Sequence, residues 1–131
     1  MILLDTHVLI WDALAPNRLS ARAQQAITQA NQQDGMLLAD ISLWEIAMLI
    51  QKGRIQIGTD AQSFLMLLLQ ANQLRIIPIS AAIALQAVQL PVLVNHDPAD
   101  RLIVATALAE RAVLITADHN LQNCGIVPIL W

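Results

Sequence analysis

Short apolar runs and longer amphipathic ones alternate along the chain. Met1 to Leu4, Met36 to Ala39, Leu74 to Ile79, Val113 to Thr116 and Ile126 to Leu130 are apolar almost without interruption, the pattern of strands buried on both faces of a parallel sheet. Between them, helices are predicted around His7 to Leu14, Ser20 to Gln33, Ser42 to about Gln51, Asp60 to Gln73, Ser80 to Leu90 and Asp97 to about Arg111. The boundaries carry matching signals. Ser20 suits an N-cap, Ser42-Leu-Trp-Glu45 has the spacing of a capping box, and Gly53 ends that helix. Asp97 followed by Pro98 supplies a cap and a first helical residue. Asp34-Gly35 is a turn signal, and Pro128 suits a sheet edge. This order predicts right-handed crossovers and a mostly parallel sheet covered on both faces, a three-layer α/β/α sandwich in one domain over residues 1–131.

Composition adds a partner surface to that picture. Apolar residues make up 56% of the chain and charged ones 13%, more apolar surface than one core needs, so a homodimer is expected. The segment Phe64 to Leu69 has no polar face over almost two turns and belongs to the core or to a subunit contact. It is far below the ~20 residues of a membrane span, and the first residues lack a basic leader, so neither a membrane nor a secreted location is expected. Cys124 is the single cysteine and agrees with the reducing cytoplasm.

Candidate chemistry lies in four acids in a carboxylate-poor chain. Asp5 and Asp118 follow strands, and Glu45 and Asp100 stand in the first turns of helices that follow apolar stretches. Parallel neighbouring strands would bring all four to the crevice beyond the carboxyl ends of the sheet. Each also has a local explanation: Glu45 as the partner of Ser42 in the capping box, Asp100 beside the helix macrodipole, Asp5 and Asp118 as turn formers. Those explanations do not require convergence at one edge. Asp97 reads chiefly as an N-cap that shares a face with Asp100. Asp12, Asp34, Asp40, Asp60 and Glu110 read as caps, turns or surface.

Clustered carboxylates repel and call for a cation. His7, His96 and His119 have no zinc-ligand spacing, and hard oxygen donors select Mg²⁺ or Mn²⁺. Hydrolysis of a phosphodiester is the natural chemistry for such ions, with Thr6 and Thr116 placed to hydrogen-bond the carboxylates. The formal net charge of −3 weighs against bulk electrostatic binding of nucleic acid unless cations neutralise the acids. Lys52, Arg54 and Arg101 are the candidate phosphate contacts.

Four segments, in order and spanning essentially the whole chain, carry a family resemblance: Leu3-Leu-Asp-Thr-His-Val-Leu-Ile-Trp11, Ser42-Leu-Trp-Glu-Ile-Ala47 with Gly53 behind it, Asp97-Pro-Ala-Asp-Arg-Leu-Ile-Val-Ala105, and Leu114-Ile-Thr-Ala-Asp118. Together they resemble PIN-domain proteins of the VapC toxin type. The resemblance implies a Mg²⁺- or Mn²⁺-dependent endoribonuclease, with Asp5, Glu45, Asp100 and Asp118 as catalytic and metal-binding residues. It also implies RNA as substrate, a homodimer, and inhibition by a cognate antitoxin. Leu49 stands where such relatives commonly carry a lysine.

Other classes fit less well. A receiver domain needs a late lysine, and none follows Lys52; a haloacid-dehalogenase-like phosphatase needs a second Asp where His7 stands. Gly35, Gly53, Gly58 and Gly125 form no phosphate-binding loop. The non-enzyme alternative is a catalytically silent PIN-like module that binds protein or RNA, separated from an enzyme by a metal-dependence assay on RNA.

Overall fold

A computed structural model describes residues 1–91 and 96–131. Among the described residues five strands form one sheet: β1 (Ile2–Leu4), β2 (Met36–Ala39), β3 (Leu74–Ile77), β4 (Val113–Ile115) and β5 (Ile129–Leu130). Their order is β3-β2-β1-β4-β5, and all pairings are parallel. Around it lie α1 (Thr6–Leu14), α2 (Ala21–Gln32), α3 (Ile41–Gln51), α4 (Ala61–Ala71), α5 (Ala81–Gln89), α6 (Pro98–Glu110) and α7 (His119–Gln122). The α/β/α sandwich read from the sequence is present, and its sheet is wholly parallel.

The strands are short enough that each residue's face is decided by alternation. Leu3, Leu37 and Leu114 point into one core with Ile83, Ile103, Val104 and Leu121 from α5, α6 and α7. Leu4, Leu38 and Ile115 point into the other with Val8, Ile27, Ile46 and Phe64 from α1, α2, α3 and α4. Burial on both faces is why the strands are uninterrupted apolar runs. Leu49, where the resemblance leads one to expect a lysine, packs against the second core.

The order in which strands are added reverses between β1 and β4. The chain adds β2 and β3 on one side of β1, then crosses under α5 and α6 to place β4 on the other side. That junction is the topological switch point, where a crevice opens beyond the strand ends. Gly35 enters β2 at φ +78, and a Cβ there would lie 2.6 Å from the Gln73 carbonyl oxygen, a conformation and a space only glycine accepts.

Caps follow the sequence in α2, α4, α5 and α6, where Ser20, Asp60, Ser80 and Asp97 accept from backbone N–H groups. The capping box in α3 is not formed. This helix begins at Ile41, with Asp40 at the N-cap position and no side-chain cap. Ser42 is inside the helix and fully buried, because its hydroxyl meets that of Thr6 at 2.8 Å. Two smaller differences concern the last segments: β5 is confined to Ile129–Leu130, and α7 is a helix that the apolar pattern does not announce. No helix among the described residues is long and apolar enough to cross a membrane.

Candidate active site

The carboxyl ends of β1 and β4 supply the floor of the site. Asp5 follows β1 directly and is 7% exposed. Such burial of a carboxylate is costly unless its oxygens are hydrogen-bonded. Both are: the Thr6 backbone N–H donates to Oδ1 at 2.8 Å, and the Thr116 hydroxyl donates to Oδ2 at 2.7 Å. Burial pushes the Asp5 carboxyl above the usual range; the Thr116 and Thr6 hydrogen bonds and the charge of His7 pull it down, and Asp118 pushes it up again.

Thr6 also reaches across to α3. Its hydroxyl lies 2.8 Å from Ser42 Oγ and 2.5 Å from Glu45 Oε1. A hydroxyl has one proton to donate, so when Thr6 donates to the Glu45 carboxylate, Ser42 must donate to Thr6. This chain fixes Glu45, half-buried one turn into α3, and explains why Ser42 faces inward. Burial raises the Glu45 carboxyl, Thr6 opposes this, Asp5 and Asp97 raise it further, and His7 lowers it.

Asp100 comes from the first turn of α6. Asp97 caps that helix, its Oδ1 accepting from Ala99 N at 2.8 Å and Asp100 N at 3.3 Å. Asp100 is pushed up to about 7, first by burial and then by the charges of Asp5, Asp97, Asp118 and Glu45. Asp118 caps α7 by accepting from Leu121 N at 3.0 Å, and its own N–H donates to Thr116 Oγ at 3.1 Å.

These side chains line one cleft of about 480 Å³, bounded by Asp5, His7, Trp11, Glu45, Asp97, Asp100, Ala117 and Asp118. The convergence expected of the four acids is thus present in space, and Asp97 both caps its helix and faces the cleft. His7, weighed in the sequence as a candidate ligand, lines the cleft, and Trp11, which was not among the expected site residues, joins it because residues four apart share a face of α1. His96 and His119 do not line the cleft.

The basic candidates fare differently. Lys52 and Arg54 are exposed beyond the far end of α3 and do not line the cleft. Arg101 donates through Nε to Ala87 O at 3.0 Å and through its terminal nitrogens to Val88 O, Leu90 O and Pro91 O. It satisfies the carbonyls that the end of α5 leaves over, a structural role in place of the phosphate contact expected from the sequence.

Among the described residues, no group of three or more His, Cys, Asp or Glu is drawn tightly enough to hold a metal ion as it stands. The donor chemistry does fit a hard cation. Every acidic donor at the cleft is a carboxylate oxygen, and Mg²⁺ keeps several waters while taking one or two carboxylates directly. The burial and, after it, the neighbouring negative charges that raise Asp100 are the electrostatic counterpart of such a site.

Comparison with known proteins agrees with this geometry. The profile of the family described as PIN domain matches residues 2–126. Over 122 residues the chain is 41% identical to Ribonuclease VapC22 of Mycobacterium tuberculosis (strain ATCC 25618 / H37Rv), covering 93% of this chain and 90% of that protein. A toxin-antitoxin complex from Klebsiella pneumoniae matches in structure with a TM-score of 0.71 at 25% identity, covering 100% of this chain and 97% of that one. VapBC2 from Rickettsia felis, bound to a DNA fragment from its promoter, shares the fold with a TM-score of 0.73 at 20% identity, covering 99% and 98%. A chain that matches a family profile nearly end to end, and gathers four distant acids at the switch point of its sheet, belongs to the PIN domain family as kin of the VapC-type ribonucleases.

Proposed function

We propose that the protein is a Mg²⁺- or Mn²⁺-dependent endoribonuclease of the cytoplasm and the toxin of a toxin–antitoxin pair. One observation carries the reading: Asp5, Glu45, Asp100 and Asp118 come from four separate parts of the chain and share one cleft, with Asp100 raised to about 7. A bound divalent ion supplies a water acidified toward neutrality and charge stabilisation for the oxygens of an in-line displacement. The chain's own residues do the positioning. Thr116 and the Thr6 N–H fix both oxygens of Asp5, and Thr6 fixes Glu45. Asp100 holds a proton near neutrality in the metal-free protein, so cation uptake is coupled to proton release.

The partner half of the proposal rests on a second cavity. A groove of about 560 Å³ beside the cleft is lined by Ile41, Trp44, Met48, Pro98 and Ala99 and shares Glu45 and Asp97 with the cleft. Trp44 is 59% exposed. An antitoxin helix fits this groove in the helix-in-groove mode, and an Arg from the same segment would reach the acids and pair bidentately with a carboxylate. Trp11 lines the acid cleft and not this groove. The homodimer would use exposed apolar side chains, Met66 and Leu67 on α4 or Leu85 and Val88 on α5. Since those helices cover opposite faces of the sheet, light scattering on Met66→Glu and Val88→Glu variants distinguishes them.

The test of the nuclease is direct. Purified protein is incubated with labelled total RNA in Mn²⁺, in Mg²⁺ and in chelator, beside Asp5→Asn. Cleavage that needs the cation and Asp5 is expected. Equal RNA loss with the Asn variant, or no cleavage in either metal, overturns the assignment.

A further inference from the structure

Aromatic residues are scarce in this chain: three Trp, one Phe and no Tyr. Phe64 is buried in the core, whereas none of the three tryptophans is. Trp11 lines the acid cleft together with His7, one helical turn nearer Asp5. The two rings have centroids 6.0 Å apart with planes at 54°. Trp131, at the C-terminus, packs on Trp11 at 6.0 Å and 59°, and the Arg18 guanidinium lies 4.4 Å from the Trp11 ring centroid. Arg18 is not among the residues that line the cleft. The indole is thus gripped by three neighbours while part of it remains open to the cleft.

We propose that Trp11, with His7 at the lip, is a stacking platform for an unpaired nucleobase next to the phosphodiester held over the carboxylates. The inference rests on the RNA-cleaving reading and adds to it a positioning residue, Trp11, which acts on a base free to splay out of a helix. A base inside a duplex is already stacked on both faces and paired at its edge, while an unpaired one gains by lying on an aromatic ring. Neutral aromatic binding suits this site. The protein is acidic and its candidate lysine and arginine contacts lie away from the cleft, so base stacking offers affinity that does not depend on a basic groove. Arg18, 4.4 Å from the ring centroid, holds the indole in place by cation–π attraction.

The experiment compares two short single-stranded RNAs with the same backbone, one of mixed sequence and one abasic throughout, binding to the full chain in Ca²⁺ buffer. Anisotropy reports affinity, and fluorescence in a Trp44→Phe, Trp131→Phe background reports Trp11 alone. The base-bearing strand is expected to quench Trp11 and to bind about tenfold more tightly than the abasic one. Trp11→Leu should erase that preference and Trp11→Phe should keep most of it. Equal affinity for the two strands, or binding without quenching, overturns the platform. A parallel cleavage assay in Mn²⁺ separates the two readings: cleavage with no base preference removes the platform and leaves the nuclease, while quenching with base preference and no cleavage supports the platform and removes the nuclease.

Discussion

On one side of α3, Glu45 joins Asp5, Asp97, Asp100 and Asp118 around a cleft; on the other, Trp44 and Met48 join Ile41, Pro98 and Ala99 around a groove. The cavities are of similar size and share two residues, yet one is crowded with carboxylates and the other is almost wholly apolar in lining. Trp44 and Glu45 are consecutive, and the rotation of about 100° per helical residue is enough to send one to each. Acids gathered in a partly buried place need a counter-charge, while exposed apolar side chains need cover. A single partner that covers the groove therefore stands close enough to supply the counter-charge, which links inhibition to docking without a long-range conformational change.

The largest expected effect belongs to the cleft. Asp5→Asn should take RNA cleavage to background while the circular dichroism spectrum is retained, since the change keeps the volume and one acceptor oxygen for the Thr6 N–H, and the new amide can donate to the Thr116 hydroxyl in place of accepting from it. Asp100→Asn should do the same. Partner binding should survive in both, because its apolar part lies in the groove. If either folded variant cleaves at the wild-type rate, the acids are not the catalytic set and the contrast between the two cavities loses its chemical half.

Thr6→Val keeps the shape of the side chain and removes the hydroxyl that holds Glu45. Replacing a group that orients a ligand costs roughly 10- to 100-fold in activity or metal affinity; isothermal titration with Mn²⁺ beside a cleavage assay measures both. Wild-type values in both would mean that Glu45 needs no support from Thr6. In the groove, Trp44→Ala should weaken antitoxin binding by about 2 kcal/mol or more, the size of a central aromatic anchor. Cleavage by the free protein should stay within about twofold, because catalytic losses require a group that acts in the transition state. A parallel fall in cleavage would merge the two cavities into one functional unit.

How much of this the sequence displays depends on the range of the interaction involved. Strands buried on both faces declare themselves as apolar runs, and caps such as Ser20, Asp60 and Asp97 are local hydrogen bonds, so the sandwich and its helix starts were readable. The meeting of the four acids was readable too, because strand ends at a switch point must be neighbours. Ser42 misled because its spacing from Glu45 satisfies a local rule, while the contact that decides its direction is with Thr6, 36 residues away. Arg101 was misplaced for the same reason: the carbonyls it binds belong to the end of another helix. The four residues of α7 are too few to show a period. Which cavity Trp11 faces depends on the rotation of α1 about its axis, which the strand and helix pattern leaves open.

The smallest predicted effect is on stability, and its sign follows from the direction of the shifts. Asp100 in the folded protein titrates at about 7 against an ordinary value of 3.8, with burial the main cause and the neighbouring charges next; Asp5 and Glu45 are also raised. An acid raised on folding contributes its stability below the unfolded value and loses it as pH rises through the folded one. In chelator, the contribution of Asp100 should therefore be present near pH 4 and gone above about pH 7. Asp100 is partly exposed, so screening limits the change to a few degrees in Tm. The quantity to measure is the difference in Tm between wild type and Asp100→Asn across that range, which cancels the titration of groups that do not interact with Asp100. It should move in favour of the Asn variant as pH rises, and saturating Mn²⁺ should reverse the trend, because deprotonated carboxylates bind the ion and binding stabilises the folded state. Trp44→Ala, acting only in the groove, should leave the slope as it is. If the wild-type minus Asp100→Asn difference stays constant from pH 5 to 8, the carboxylates are not mutually repulsive and the electrostatic half of the comparison fails.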